Sequence, residues 1–304
     1  MDDNFWHNNI GPQYIEWWYV DARLNDNYYL AGSFGIWGNL KRPRSLVIRS
    51  DFLLTTPNGN TIDFGNSFDL SSFKASTTKC HVQLGNNVLE NIEDKYNLRL
   101  CNGENNIFLD LSFRPACAGY KHIHYFDKNR CSFFAWVVPA PFAKFEGVLE
   151  KNGKKIYLIG SGYHDHNWAS VSLDEVLGGW VWGRLHGDND VLVFAKLQGK
   201  TSTLFSSLAW IKQNEMHSSK YQYLSCALET TDMKITTNAL DWDLMVTNSQ
   251  IEMKLAIEKK DDIAKNTKSP GYKRLISYGT GEIIHAGASH EVTGSIFHEF
   301  KELS

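Results

Sequence analysis

The chain has 304 residues and a formal net charge of −3, from 31 Lys and Arg against 34 Asp and Glu. No basic block interrupts that balance, so the electrostatic footprint of a nucleic-acid-binding or anionic-surface-binding protein is missing. The N-terminus lacks the basic and apolar regions of a secretory signal, and no stretch approaches ~20 consecutive apolar residues. The five cysteines, Cys80, Cys101, Cys117, Cys131 and Cys226, have no CxxC spacing and are odd in number, which reads as thiols in a reducing compartment. The expectation is a cytoplasmic protein without an integral membrane segment. Aromatic residues make up 13% of the chain, ten of them Trp, which suggests large β cores or a cavity walled by rings.

Runs rich in β-branched and aromatic residues dominate from the N-terminus onward. They predict strands over 16–22, 28–36, 45–55, 108–113, 132–138, 155–163, 179–185, 191–197 and 204–212. Turn residues that accept positive φ stand between them at Pro57-Asn58-Gly59-Asn60, Asn102-Gly103, Asn152-Gly153 and Gly187-Asp188-Asn189-Asp190, which argues for antiparallel hairpins. Helix signals are limited to one short turn after Ser172, where Ser172 and Glu175 have capping-box spacing. His122-Ile123-His124 reads as polar loop, and so does 259–268. Two prolines at Val138-Pro139-Ala140-Pro141 predict a domain boundary, with one β-barrel domain over 1–140 and a second over 141–304. Closure of each sheet removes its exposed edges.

Two strings stand out chemically. In Glu16-Trp17-Trp18-Tyr19, strand alternation puts Glu16 and Trp18 on one face. A buried carboxylate there needs a partner. Glu16 is read either as a core-strand residue capping a barrel end or pairing with an Arg, or as a group reaching a ligand pocket. The second string, Gly160 to Trp168, gathers two imidazoles, a carboxylate, a carboxamide, a phenol and an indole. On a regular strand His164, His166 and Trp168 share one face, and Tyr163, Asp165 and Asn167 share the other, provided that Gly160 and Gly162 introduce no bulge. Half of the string then touches substrate, with His166 and Trp168 as the contacting half, while Asp165 holds the pocket in shape. A His-x-His pair is compatible with a metal, but no acid stands at a spacing that completes a site, so no metal is expected. Downstream, Trp180, Trp182 and Arg184 share a strand face, suited to an Arg stacked on an indole or anchoring an acidic group of a substrate. There is no Walker loop, dinucleotide fingerprint or nucleophile motif, and the run from Gly279 to Ala288 lacks phosphate-loop spacing. No cofactor is expected.

Glu16-Trp17-Trp18-Tyr19, Gly162-Tyr163-His164-Asp165-His166-Asn167-Trp168 with the preceding Asn152-Gly153 hairpin, and Trp180-Val181-Trp182-Gly183 together resemble the AttH-like and carotenoid 1,2-hydratase-like superfamily, which includes lipocalin-like Diels–Alderases. The resemblance implies an all-β fold of two lipocalin-like antiparallel barrels in tandem, a pocket at or near their junction, a hydrophobic small-molecule substrate and no cofactor. It implies roles for His166 and Trp168. It also implies an Asp near Val193-Phe194-Ala195-Lys196, where none stands, and this favours ring closure over hydration. Three readings follow. The first is a cofactor-free cyclase or isomerase acting on a polyene or terpenoid intermediate, with Glu16 or Asp165 as the acid if protonation starts the reaction. Its binding wall would comprise Trp18, Tyr163, His164, Asn167, Trp180, Trp182 and Arg184. The second is an alkene hydratase, and the third a non-catalytic carrier of a hydrophobic ligand.

Overall fold

The computed structural model of the chain describes residues 3–8, 13–39, 42, 45–127, 129, 132–187, 190–200, 203–213, 221–227, 232–237, 241–247, 251–262 and 272–302. The chain divides into two compact units, Met1–Ser172 and Leu173–Ser304. The first carries β1 (Tyr14–Leu24), β2 (Tyr28–Gly38), β3 (Val47–Ser50), β4 (Leu53–Thr55), β5 (Thr61–Asp63), β6 (Asn66–Phe68), β7 (Phe73–Ala75), β8 (His81–Leu84), β9 (Asn87–Ile92), β10 (Lys95–Asn102), β11 (Ile107–Pro115), β12 (Tyr120–Tyr125), β13 (Phe133–Lys151) and β14 (Lys154–Ala169). The second opens with the short α1 (Leu173–Val176). It continues through β15 (Leu177–His186), β16 (Asp190–Gly199), β17 (Thr203–Gln213), β18 (Tyr221–Ala227), β19 (Asp232–Thr237), β20 (Asp241–Thr247), β21 (Ile251–Asp262), β22 (Tyr272–His285) and β23 (Ala288–Glu302).

Each unit is built on one antiparallel sheet, and of the two sheets one is a half-barrel and the other a nearly closed barrel. In the first unit the strand order runs β5-β4-β2-β1-β14-β13-β11-β10-β9-β8-β7, so the first and last long strands pair at the centre. In the second it runs β18-β17-β16-β15-β23-β22-β21-β20-β19. Strand alternation sets the core. On β11, Ile107, Leu109, Leu111 and Phe113 point inward while Phe108, Asp110 and Arg114 are exposed. β14 differs along its length. Tyr157 and Ile159 are exposed, whereas every residue from Ser161 to Ala169 is buried, on both faces. A strand buried on both faces has no polar side to solvate, so each polar group in it needs a partner inside the protein.

Four local expectations differ from the fold. The prolines at 139 and 141 do not end a domain but lie inside the 19-residue β13. Register shifts between Val137 and Ala140 and between Ala140 and Ala143 absorb them. A bulge is the arrangement in which a residue lacking an N–H interrupts a ladder without ending the strand. His122-Ile123-His124 lies in β12, paired with β13, and β21 extends to Asp262; 263–268 lie outside the described residues. The run 45–55 is two strands, β3 and β4. The turns at 57–60, 102–103 and 152–153 fall between paired strands, and Asn152 and Gly153 both have positive φ. Cys80, Cys101 and Cys117 are free thiols; Cys131 and the side chain of Cys226 lie outside the description.

The β1–β14 register is continuous from Ile15 opposite Ala169 to Leu24 opposite Gly160, so the glycines of β14 introduce no bulge there. Gly162 is needed for close approach. A Cβ at this position would lie 2.1 Å from the carbonyl oxygen of Asp21. Gly162→Ala is therefore expected to destabilise the first unit by about 2–3 kcal/mol, measured as a lower urea midpoint.

Candidate functional site

Because β1 pairs with β14, Glu16 faces Trp168 across the strands and Trp18 faces His166. Strand parity then puts Glu16, Trp18, His166 and Trp168 on one surface, as the alternation of both strings implies. The Glu16 carboxyl and the His166 ring are both fully buried, with Oε1 2.7 Å from Nε2. The Tyr14 hydroxyl donates to the other carboxyl oxygen, Oε2. A third group arrives from the segment before β1: the His7 backbone N–H donates to Oε1 at 3.2 Å, and His7 Nδ1 lies 3.1 Å from the same oxygen. The rings form a layered wall. Trp18 stacks on His166 with centroids 4.6 Å apart, and His7 stacks on Trp168 at 3.6 Å.

The hydrogen-bond partners determine the proton inventory. His166 Nδ1 lies 3.1 Å from the Asp3 carbonyl oxygen. That oxygen can only accept, so Nδ1 carries a hydrogen. Nε2 and Glu16 Oε1 must then share one proton, because two lone pairs do not approach to this distance. Burial raises the Glu16 carboxyl well above its ordinary range, opposed by the His7 N–H. Burial also pulls His166 well below its ordinary value, with His7 adding to the effect and the Asp3 carbonyl opposing it. Both shifts place the proton on Glu16. The pair is accordingly a neutral acid hydrogen-bonded to a neutral imidazole rather than a buried ion pair, whose desolvation is expensive.

His7 Nδ1, Glu16 Oε1 and His166 Nε2 lie within 4.8 Å of one another, the separation at which three ligand atoms can surround a metal ion. The acid that sequence spacing did not offer to the His-x-His string is Glu16, brought to His166 by the β1–β14 register, and the 2.7 Å contact has the length of a proton-bridged pair.

His164, two residues earlier on the same face, has a supporting task. Its Nδ1 donates to the Tyr19 carbonyl at 2.9 Å, so its Nε2 accepts from Asn4 Nδ2 at 3.0 Å. Asn4 Nδ2 also donates to the Tyr96 hydroxyl. These bonds fix the Asn4 carboxamide and leave its Oδ1 buried without a hydrogen-bond partner. The Trp18 indole N–H is also buried without an acceptor.

The opposite face of β14 forms a closed network. Asp165 accepts from Trp136 Nε1 at 3.0 Å, from the Tyr163 hydroxyl at 2.8 Å and from Asn167 Nδ2 at 2.6 Å. Burial, then the Asp165 charge, raises the Tyr163 phenol far above its ordinary value, so it stays a donor. Tyr163, Asp165 and Asn167 therefore lie on the face opposite the Glu16–His166 pair.

Acid sensitivity follows from the buried imidazoles. Burial lowers His7 and His164 to about 4, opposed in His7 by the Asp3 charge and in His164 by the Tyr19 carbonyl. The unfolded chain takes up protons below about pH 6.5 that the folded chain refuses, so stability present above that pH is lost as pH falls. Each imidazole held neutral to about pH 4 corresponds to roughly 3 kcal/mol. Glu16 has the opposite sign: its raised pKa withholds stability as pH rises above the ordinary carboxyl range. Urea unfolding at pH 7 and pH 5 is expected to show a lower midpoint at pH 5, and a larger drop in Glu16→Gln, which lacks the opposing group.

Trp180, Trp182 and Arg184 belong to the second unit. They alternate along β15 opposite Lys301, Glu299 and Phe297 of β23, which confirms their shared face. Lys301 lies over Trp180, 5.3 Å from the ring centroid, and Arg184 is buried and donates to His186 Nδ1 at 3.2 Å. The motif reading missed His7, Asn4 and Tyr14. The aromatic cluster Phe5-Trp6-His7 was the available signal for the first.

The two units define a lipocalin-like all-β protein with a buried acid–imidazole pair in the first. Its fold is that of the AttH-like and carotenoid 1,2-hydratase-like superfamily. Similar solved structures include a putative AttH from Nitrosomonas europaea, with TM-score 0.65 and 16% identity over 99% of this chain and 96% of that one. CghA in complex with Sch210972 has TM-score 0.62 and 13% identity, covering 96% and 89%. Kievitone hydratase from Nectria haematococca has TM-score 0.58 and 16% identity, covering 97% and 90%. By sequence, hydroxyneurosporene dehydrogenase of Chlorobaculum tepidum is 25% identical over 215 residues, covering 59% of this chain and 55% of the relative, so the match spans little more than half of that protein. No protein-family model matches the chain. Among the described residues no helix is long and apolar enough to cross a membrane.

Proposed function

We propose that this protein is a cofactor-independent cyclase or isomerase acting on a hydrophobic, unsaturated small molecule, with Glu16 as the general acid. The observation that carries this reading is the 2.7 Å contact between Glu16 Oε1 and His166 Nε2, both fully buried and lined by Trp18 and Trp168. A carboxyl kept neutral by burial is a competent proton donor near neutral pH. A flat conjugated segment of substrate stacks against the aromatic layer of Trp18, His166, Trp168 and His7. Glu16 then protonates an alkene carbon or hydrogen-bonds an activating carbonyl. The indole faces stabilise the developing positive charge, and the wall confines the chain to its reactive conformer. The His7 backbone N–H and the Tyr14 hydroxyl donate to the carboxylate left behind, and the cationic intermediate sheds a proton to solvent, so that Glu16 is reprotonated from water. The unpartnered Trp18 N–H and Asn4 Oδ1 suit a substrate whose apolar body ends in a group that both donates and accepts.

Hydration is the second reading, favoured by the same loaded donor: protonation of an alkene followed by capture of water uses the same first step. The names kievitone hydratase and hydroxyneurosporene dehydrogenase fit enzymes of unsaturated natural products. Incubation of the pure protein with carbonyl-terminated linear polyenes and with acyclic carotenoids separates the readings. An isomeric product of unchanged mass, formed faster than without protein, is expected. Gain of one solvent oxygen from labelled water would replace cyclase by hydratase, and binding without conversion of any probe would contradict both.

A further inference from the structure

We propose that His7 is the proton relay that reloads Glu16 from solvent between turnovers; this rests on the reading of Glu16 as the acid. An acid with a fully buried carboxyl needs a route by which its proton exchanges with water. The hydrogen bonds around the pair offer few exits. Tyr14, on Oε2, is itself buried. His166 Nδ1 leads to the Asp3 carbonyl, which cannot carry a proton onward. His7 is the remaining side chain bonded to the carboxyl, and it is 17% exposed where Glu16 and His166 are 0%.

Its position suits the task. Nδ1 stands 3.1 Å from Oε1, and the backbone N–H of the same residue holds that oxygen in place. The ring is clamped between Trp168 at 3.6 Å and Phe5 at 4.9 Å. Its segment is tied down by the Asn4 bonds, by Trp6 N–H to the Ser76 carbonyl, and by the Lys121–Asp3 ion pair at 2.6 Å. The ionisable groups facing His7 are Asp3, Glu16 and His166, and the Asp3 charge favours arrival of a proton. When Glu16 is ionised, a proton from water binds His7 Nε2 and the Nδ1 proton leaves to Oε1. The ring ends neutral in its other tautomer, and one proton has moved inward.

The test needs no substrate. The protein is transferred to D2O and the carboxylic-acid C=O stretch assigned to Glu16, by its loss in Glu16→Gln, is followed as it shifts to the deuterated form. His7→Phe keeps the stack on Trp168 and removes the relay. His7→Asn keeps a polar side chain that does not titrate. Both are expected to slow the exchange by at least about tenfold, below the ~10²–10⁴-fold that a positioned acid–base group contributes in full, and added imidazole is expected to restore part of the rate in His7→Asn. Wild-type exchange rates in both folded variants would overturn the relay while leaving the Glu16 assignment intact. Absence of the acid band in the wild type would instead remove the reading on which it rests.

Discussion

Glu16→Gln is expected to lower turnover of a converted polyene by about 10²–10⁴-fold, the range associated with loss of a general acid, while in stability at pH 7 the relief of holding a buried carboxyl protonated opposes the loss of the acceptor for the His7 N–H. The carboxamide is nearly isosteric. Its NH2 can donate to His166 Nε2, whose Nδ1 remains committed to the Asp3 carbonyl, and its oxygen can accept the Tyr14 hydroxyl, at the cost of the acceptor that Oε1 gives the His7 backbone N–H. The layer of His7, Trp168, His166 and Trp18 therefore survives while the transferable proton is gone. Turnover rate and urea midpoint measured on one preparation separate chemistry from folding. A Glu16→Gln protein that retains activity close to wild type would show that the reaction does not use this proton.

Asp165 is expected to behave in the opposite way. Three buried donors converge on its two oxygens. Asp165→Asn replaces one acceptor oxygen with an NH2, which faces either the Asn167 amide or the Trp136 and Tyr163 donors. At least one buried donor loses its acceptor whichever way the carboxamide turns. Each orphan costs about 1–3 kcal/mol, and conversion of a charge-assisted network to a mismatched one brings the expected loss to about 3 kcal/mol. The urea midpoint should fall accordingly, while activity per folded molecule changes by no more than a few-fold. Loss of activity with an unchanged midpoint would move Asp165 from the scaffold into the chemistry.

Much of this site was legible strand by strand. Alternation alone placed His164, His166 and Trp168 on one side of β14 and Tyr163, Asp165 and Asn167 on the other, and it placed Glu16 beside Trp18. The meeting of Glu16 with His166 was not legible. It depends on β1 pairing with β14 at a sequence separation of 150, in a register that no local pattern encodes. His7 and Asn4 precede the first strand, in a segment without periodicity, and only the assembled sheet gives their side chains partners. The prolines at 139 and 141 misled because proline disrupts a ladder locally, and β13 accommodates that disruption with shifts of register rather than an end. Lys301 stands over Trp180, supplied by β23 from more than a hundred residues downstream.

The protonation state of Glu16 is the point on which the acid mechanism turns. Infrared difference spectra of wild type minus Glu16→Gln at pH 7 address it directly. A neutral pair gives a carboxylic-acid C=O stretch in the wild type that the variant lacks. A carboxylate band in its place, with His166 bearing hydrogen on both ring nitrogens, would contradict the account.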